Sequence, residues 1–170
     1  MQRMNRRAAL AAVAAVASAA AGCGFELRRA AALPLRSIAL VGFAPDSSLR
    51  RVLEDELQRA GVALHDNPAR AEAVLEALTD VREKTVAAST AFGQVREVTL
   101  RVRLRFRVAT PAGRQLLAPS ELLLTRDMSY SESAALAKRY EELQLFRAME
   151  DDIVAQVLQR LASLAPGAAA

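Results

Sequence analysis

Four arginines alternate with apolar residues between positions 98 and 110, in the stretch VTLRVRLRFRVAT. Successive side chains of a β-strand point to opposite faces, so this alternation predicts a strand with one apolar face and one face of guanidinium groups about 7 Å apart. The guanidinium groups belong to Arg101, Arg103, Arg105 and Arg107. Such a column could bind phosphates of nucleic acid, phosphates of an anionic lipid, or carboxylates of a protein partner.

Acidic residues on the two neighbouring strands are expected to neutralise part of this column. A turn near Phe92 would set the pairing on one side, and a turn at 111–113 would set it on the other. The structural ion pairs that this register predicts are Arg103 with Asp80 and Glu121, and Arg107 with Glu76. Exposed cross-strand pairs contribute at most about 1 kcal/mol each, so the simplest interpretation is a solvated, partly self-neutralised sheet face.

Six basic residues are expected to converge at one end of the sheet, and those on its strands have no obvious acidic partner in this register. Arg101 would face Arg82, and the C-terminal helix would begin at the same end of the sheet because the last strand returns there. The six residues are Arg82, Lys84, Arg96, Arg101, Lys138 and Arg139. Guanidinium and ammonium groups beside apolar side chains suit the phosphates of an anionic lipid, so we expect these residues to form a binding site.

Residues that could carry catalysis are scarce. The single histidine, His65, follows a short apolar stretch in a polar loop, and the sequence has no glycine-rich phosphate loop and no metal-ligand spacing. Five carboxylates of the C-terminal helix are predicted to lie on its solvated side: Glu141, Glu142, Glu150, Asp151 and Asp152. We therefore predict no catalytic residues, no metal and no cofactor.

The charge balance argues against nucleic acid as the partner of the arginines. The 170-residue chain has 23 basic and 19 acidic residues, with 52% apolar content that suffices for one core. Three of the basic residues lie in the first seven positions, so the rest of the chain has 20 basic and 19 acidic residues. A general nucleic-acid binder usually carries a larger excess of positive charge.

The amino terminus has the layout of an export signal. A basic start is followed by an apolar run over 8–21, which is short for a membrane span, and by small residues before the only cysteine, Cys23. The AAGC sequence at 20–23 resembles a bacterial lipobox, which predicts a signal peptide over 1–22 and acylation of Cys23. An ordinary secreted protein with a buried thiol is the alternative. By resemblance to known lipoproteins, Gly24 indicates the outer membrane.

The elements that would position these residues follow from the hydrophobic periodicity. After a lipidated tether over 23–35, the pattern predicts a strand at 36–43, a helix at 47–60 that stops before Gly61, and strands at 71–89, 95–110 and 115–130. The first half of 71–89 also fits a helix. One long helix is predicted over 133–164, followed by a loose tail at 165–170.

These elements assemble into one predicted domain over 36–164. The fold class is an α+β sandwich, in which a four-stranded, mostly antiparallel sheet packs two helices on one face and leaves the arginine face uncovered. Pro119 would suit an edge strand. The stripe of the long helix that should face the sheet consists of Leu136, Tyr140, Leu143, Phe146, Met149, Ile153, Val157, Leu161 and Leu164.

Several short motifs, in this order and spacing, resemble the LptE family of lipopolysaccharide-assembly lipoproteins. The resemblance extends from Ala20 to Leu164 and rests on the order of its motifs rather than on any one of them. The motifs are GCGFELR at 22–28, LP at 33–34, FGQVRE at 92–97, ALAK at 135–138 and EDDIVAQVLQRL at 150–161.

The resemblance implies a non-enzymatic lipoprotein, anchored by palmitate and other acyl chains on the periplasmic side of the outer membrane. It also implies that the protein plugs the β-barrel LptD, helps that barrel to assemble, and binds lipopolysaccharide during export. The six basic residues would then bind lipopolysaccharide, while the arginine face could meet either lumen carboxylates or lipid A phosphates. A free-standing lipid-binding lipoprotein or an envelope enzyme of unknown class remains the alternative, although a carrier would need an apolar cavity.

Overall fold

The computed structural model describes residues 33–165. The signal peptide, Cys23, the tether up to residue 32 and the tail from residue 166 lie outside the described residues. The elements, in chain order, are β1 (Ser37–Val41), α1 (Ser48–Arg59), β2 (Ala63–Leu64), β3 (Ala73–Ser89), β4 (Val95–Ala109), β5 (Gln115–Ser129) and α2 (Ala135–Ala162). Within this part of the chain, neither helix is long and apolar enough to cross a membrane.

The sheet has five strands in the order β2-β1-β3-β4-β5, and it is mixed. Strand β1 runs parallel to both β2 and β3, whereas β3, β4 and β5 form an antiparallel meander. The prediction of four strands missed β2. This short strand pairs with β1 through two hydrogen bonds, in which the amide of Ala63 donates to the carbonyl of Arg36 and the amide of His65 donates to the carbonyl of Ile38. A two-residue strand is too short to show a period in the sequence.

Strand β3 is extended along its whole length, which settles the choice between helix and strand over 71–80. The helix predicted at 47–60 is also confirmed. Its first turn is capped by Ser47, whose Oγ accepts from the amide of Arg50 at 3.0 Å. Strand β5 lies at the edge of the sheet, where Pro119 was expected.

Both helices pack on one face of the sheet, as predicted. Six apolar residues of β4 are buried on that face: Val98, Leu100, Val102, Leu104, Phe106 and Val108. Helix α2 packs against them with a ridge formed by Phe146, Met149, Ile153, Val157 and Leu161. The arginine face of β4 is therefore the uncovered one.

The first turns of α2 differ from the predicted apolar stripe. The side chains of Leu136 and Tyr140 are 86% and 67% exposed, and Leu143 is exposed too. The sheet-facing positions are taken by charged residues, because Lys138 donates to the Ser129 hydroxyl at 3.0 Å and Glu142 accepts from Lys84 at 2.7 Å. Polar groups at this end of the sheet thus turn the apolar side of the helix outward.

A β-bulge at Leu78 shifts the pairing of β3 with β4 by one residue. Glu76 lies opposite Arg107 as predicted, but Thr79 rather than Leu78 lies opposite Arg105. A shift of one residue moves every later side chain to the other face of the sheet. Residues Asp80, Arg82 and Lys84 consequently lie on the helix-covered side, opposite Leu104, Val102 and Leu100.

Candidate anion-binding site

On the arginine face, the bulge supplies acidic partners that the sequence pattern did not predict. Arg107 donates through Nε to Glu76 at 2.6 Å, which is the expected pair. Arg101 donates through Nη1 to Glu83 at 2.7 Å. The expectation that Arg101 faces Arg82 and lacks an acidic partner is therefore wrong, because the bulge places Glu83 opposite it.

Of the two predicted partners of Arg103, Asp80 is wrong, whereas Glu121 does form an ion pair with Arg103, although it lies opposite another residue. Asp80 lies on the other side of the sheet, where its carboxylate accepts from the amide of Ala44 at 3.3 Å. Glu121 lies opposite Arg105, since β5 contains extra residues between its pairings with Ala109 and Phe106. The nearest approach of Glu121 Oε1 to Arg103 Nε is 3.9 Å, and that buried nitrogen has no hydrogen-bond partner among residues 33–165.

We call the end of the sheet that carries the β3–β4 turn and the start of α2 the distal end. Two lysine side chains and the backbone of an arginine contact the end of β5 there. Lys84 Nζ lies 5.6 Å from the ring centroid of Tyr130, Lys138 Nζ donates to the hydroxyl of Ser129, and the carbonyl of Arg96 accepts from the amide of Tyr130 at 2.8 Å. The distal end thus gathers basic residues from β3, β4 and α2.

Together with the neighbouring Arg139, these residues form the distal basic cluster: Lys84, Arg96, Lys138 and Arg139. Lys84 and Lys138 form ion pairs with Glu142 and Glu141, at 2.7 and 2.8 Å. The side chains of Arg96 and Arg139 are exposed, and within the described part of the chain neither makes an ion pair. Two of the six predicted residues, Arg82 and Arg101, lie elsewhere.

Arg82 belongs to a contact between the helices and the sheet. Its guanidinium carbon lies 4.0 Å above the ring of Phe146, and its Nη1 lies 3.6 Å from Glu150 Oε1. Glu150, which was predicted to be solvated, is only 2% exposed and accepts from the hydroxyl of Ser48 at the start of α1. These residues line a cleft of about 650 Å³ and join α1, α2 and β3.

The sequence held a weak signal for this buried carboxylate. Glu150 follows Met149 and precedes Ile153, so it lies on the helix face that contacts the sheet. A charged residue on such a face needs a partner when it is buried, and Ser48 and Arg82 supply it. The pattern could have suggested this burial, but it could not have identified two partners from other elements.

The side chains at the distal end are suited to binding anions. No cluster of His, Cys, Asp and Glu that could hold a metal ion is found in residues 33–165. His65 joins β2 to β1 through its backbone amide. The distal basic cluster offers guanidinium and ammonium donors, which bind phosphate well.

The chain is similar to lipoproteins of known structure. A family model, LptE, described as lipopolysaccharide-assembly, matches residues 35–161. An uncharacterized lipoprotein B from Nitrosomonas europaea is 25% identical with a TM-score of 0.67, over 82% of this chain and 91% of that one. The rare lipoprotein B from Shewanella oneidensis is 26% identical with a TM-score of 0.58, over 74% and 94%.

A minor lipoprotein from Acinetobacter baumannii shares the fold, at 21% identity and a TM-score of 0.61 over 76% of this chain and 92% of that one. No curated protein matches the chain. The family match covers both helices up to Leu161 and every strand of the sheet.

Proposed function

Because the chain belongs to the LptE family of lipopolysaccharide-assembly proteins, we propose that it is a non-enzymatic lipoprotein of the outer membrane. It would face the periplasm, plug the lumen of an LptD-type β-barrel, help that barrel to assemble, and bind lipopolysaccharide during export. The observation that carries the ligand proposal is the distal basic cluster, in which two of the four cations make no ion pair in the described structure.

Phosphate would compete well for this cluster. The pairs of Lys84 with Glu142 and of Lys138 with Glu141 are partly exposed, and exposed pairs contribute at most about 1 kcal/mol. Hydrogen bonds to a charged group contribute about 1.5–3 kcal/mol, so a lipid A phosphate could displace the carboxylates. The exposed guanidinium groups of Arg96 and Arg139 would add bidentate contacts.

The arginine face supports the barrel proposal. Three of its arginines lie within 4.0 Å of glutamates, so this face presents alternating charges with little net charge. Barrel interiors are polar, and a largely self-neutralised polar surface costs less to enclose there than a face of unpaired arginines would. We propose that this face meets the barrel and that the distal basic cluster meets the lipid.

A free-standing lipid carrier fits less well. The cleft beside Arg82 is lined by several charged residues, including Asp80, Lys84 and Glu142, whereas acyl chains need an apolar cavity.

Reversing the charge of two cluster residues should weaken binding of lipopolysaccharide. The double variant Lys138→Glu, Arg96→Glu removes two cationic donors and adds like charge beside the phosphates, so we expect at least a roughly tenfold loss of affinity. The measurement is a binding titration at low and moderate salt, with co-purification of the barrel protein in parallel. We expect the barrel protein to co-purify normally.

A matched control carries two charge reversals away from the distal end, at the exposed Arg51 and Arg70. Its net charge equals that of the test variant. A difference in lipopolysaccharide affinity between the two variants therefore depends on where the charges lie and not on the net charge. If the test variant bound lipopolysaccharide normally and lost the barrel instead, the cluster would belong to the protein partner.

The anchor proposal concerns Cys23, outside the described residues. Cys23→Ala should abolish fatty-acid labelling and leave a soluble periplasmic protein, because acyl chains supply the membrane affinity. Metabolic labelling and membrane fractionation test this, with the wild-type protein as reference. Equal labelling of both proteins would contradict the assignment.

A further inference from the structure

Two turns at opposite ends of the sheet have the same structure. In the first, Thr90 Oγ1 accepts from the amide of Gln94 at 3.1 Å and the amide of Gly93 donates to the carbonyl of Thr90. In the second, Thr110 Oγ1 accepts from the amide of Arg114 at 3.1 Å, and Gly113 donates to Thr110 in the same way. Both glycines have a positive φ, of 79° and 86°.

The two turns differ in the residue at their tip. Phe92 precedes the glycine of the distal turn, and Ala112 precedes the glycine of the other. The turn geometry therefore needs no aromatic side chain at this position. Phe92 is 94% exposed, so its ring contributes little to the core either.

Phe92 is not the only exposed apolar residue at the distal end. Val86 lies opposite Val98 on the helix-covered side of the sheet, but it is 59% exposed because it lies past the packed part of the helix. Leu136 is exposed in the first turn of α2, two residues before Lys138. Apolar side chains and the distal basic cluster therefore share one end of the molecule.

We propose that Phe92 inserts among the acyl chains of the lipopolysaccharide molecule whose phosphates the distal basic cluster binds. This inference rests on the proposed function and adds an apolar contact to it. An amphiphile with anionic groups next to hydrocarbon matches both kinds of side chain at this end, whereas a purely polar ligand would leave the ring in water. The hydrogen-bonded turn holds the backbone that carries the ring at the tip of the hairpin.

Acyl-chain dependence gives the first test. Phe92→Ala gives the distal turn the same tip residue as the other turn, so the variant should fold normally. Its affinity for acylated lipopolysaccharide should fall by roughly tenfold, as expected for returning a phenylalanine side chain to water. Its affinity for fully deacylated lipopolysaccharide should equal that of the wild type.

A fluorescent reporter gives the second test. The chain has no tryptophan, so Phe92→Trp introduces a single probe at the distal tip, and Ala112→Trp is the matched control at the other turn. Acylated lipopolysaccharide should shift the emission of the distal probe to shorter wavelength and protect it from acrylamide. It should leave the control probe unchanged.

Several results would overturn the inference. Unchanged affinity of Phe92→Ala for acylated lipopolysaccharide would do so, as would an equal response of both probes or an equal response to zwitterionic phosphatidylcholine vesicles. If the ring proved dispensable while the charge-reversed variant still lost binding, the proposed function would stand without the apolar contact. If wild-type protein bound neither form of lipopolysaccharide, both proposals would fail.

Discussion

Replacing Phe106 with alanine should lower the free energy of unfolding by about 3–5 kcal/mol, the range for removing a buried aromatic ring. The ring is fully buried on the helix-covered face of β4, between Ala77 of β3 and Ser120 of β5. Close packing on all sides leaves neighbouring side chains little freedom to fill the cavity. The loss should therefore lie well above that of a surface substitution.

Urea unfolding measures this change, and Arg105→Ala is the matched control on the opposite face of the same strand. Arg105 is exposed, so its replacement should stay within about 0.5 kcal/mol of the wild type. Similar unfolding midpoints for the two variants would mean that the faces of β4 are assigned the wrong way round.

Replacing Gly42 with alanine should cost about 2–5 kcal/mol. Gly42 has φ of 79°, which costs about 1–2 kcal/mol for a residue with a Cβ atom. The added Cβ would also collide with the carbonyl oxygen of Ala77, and overpacking of this kind costs about 1–3 kcal/mol. Backbone atoms of a central strand cannot move aside as a flexible side chain can.

Gly113→Ala separates the conformational cost of a positive φ from the cost of the steric collision. Gly113 has φ of 86°, but a Cβ there would meet no atom within 4 Å, so only the conformational cost applies. Chemical unfolding of both variants should find Gly42→Ala clearly the less stable one. Equal destabilisation would show that the contact between the end of β1 and β3 is looser than described.

The buried face of β4 could be predicted from the sequence because no extra residue interrupts its alternation from Val98 to Val108. Helix α1 was predictable for a similar reason, since it has a polar cap and a regular apolar stripe. A hydrophobic pattern that repeats several times along an element still identifies its buried face when one position departs from the pattern. Domain architecture therefore followed from periodicity.

The ion pair of Arg107 with Glu76 was predictable because it precedes the bulge, but the pairing of Arg101 with Glu83 was not, because it depends on the register beyond the bulge. The bulge at Leu78 changes the pairing of the residues that follow it, from Thr79 to Val86, and no glycine or proline marks it in β3. The apolar Leu78 at an expected polar position was the one local signal. In β5, Pro119 did mark an irregular edge strand, but it did not indicate how many residues would be added.

The start of α2 could not be predicted from its own stripe. Leu136 and Tyr140 continue the apolar spacing but are exposed. Lys138 and Glu142 contact the sheet instead, because their polar partners lie on β5 and β3. A hydrophobic pattern identifies the apolar face of the helix considered on its own. It does not identify which face finds charged partners in the folded protein.

The bulge at Leu78 also limits how residue roles can be transferred between homologues. A homologous strand without the extra residue would align with this chain up to Ala77 and again after a one-position gap. If an alignment omitted that gap, each later column would compare side chains from opposite faces of the sheet. A lysine aligned in this way with Glu83 could be the true counterpart of Lys84, so columns beyond the bulge should be set by superposed backbones.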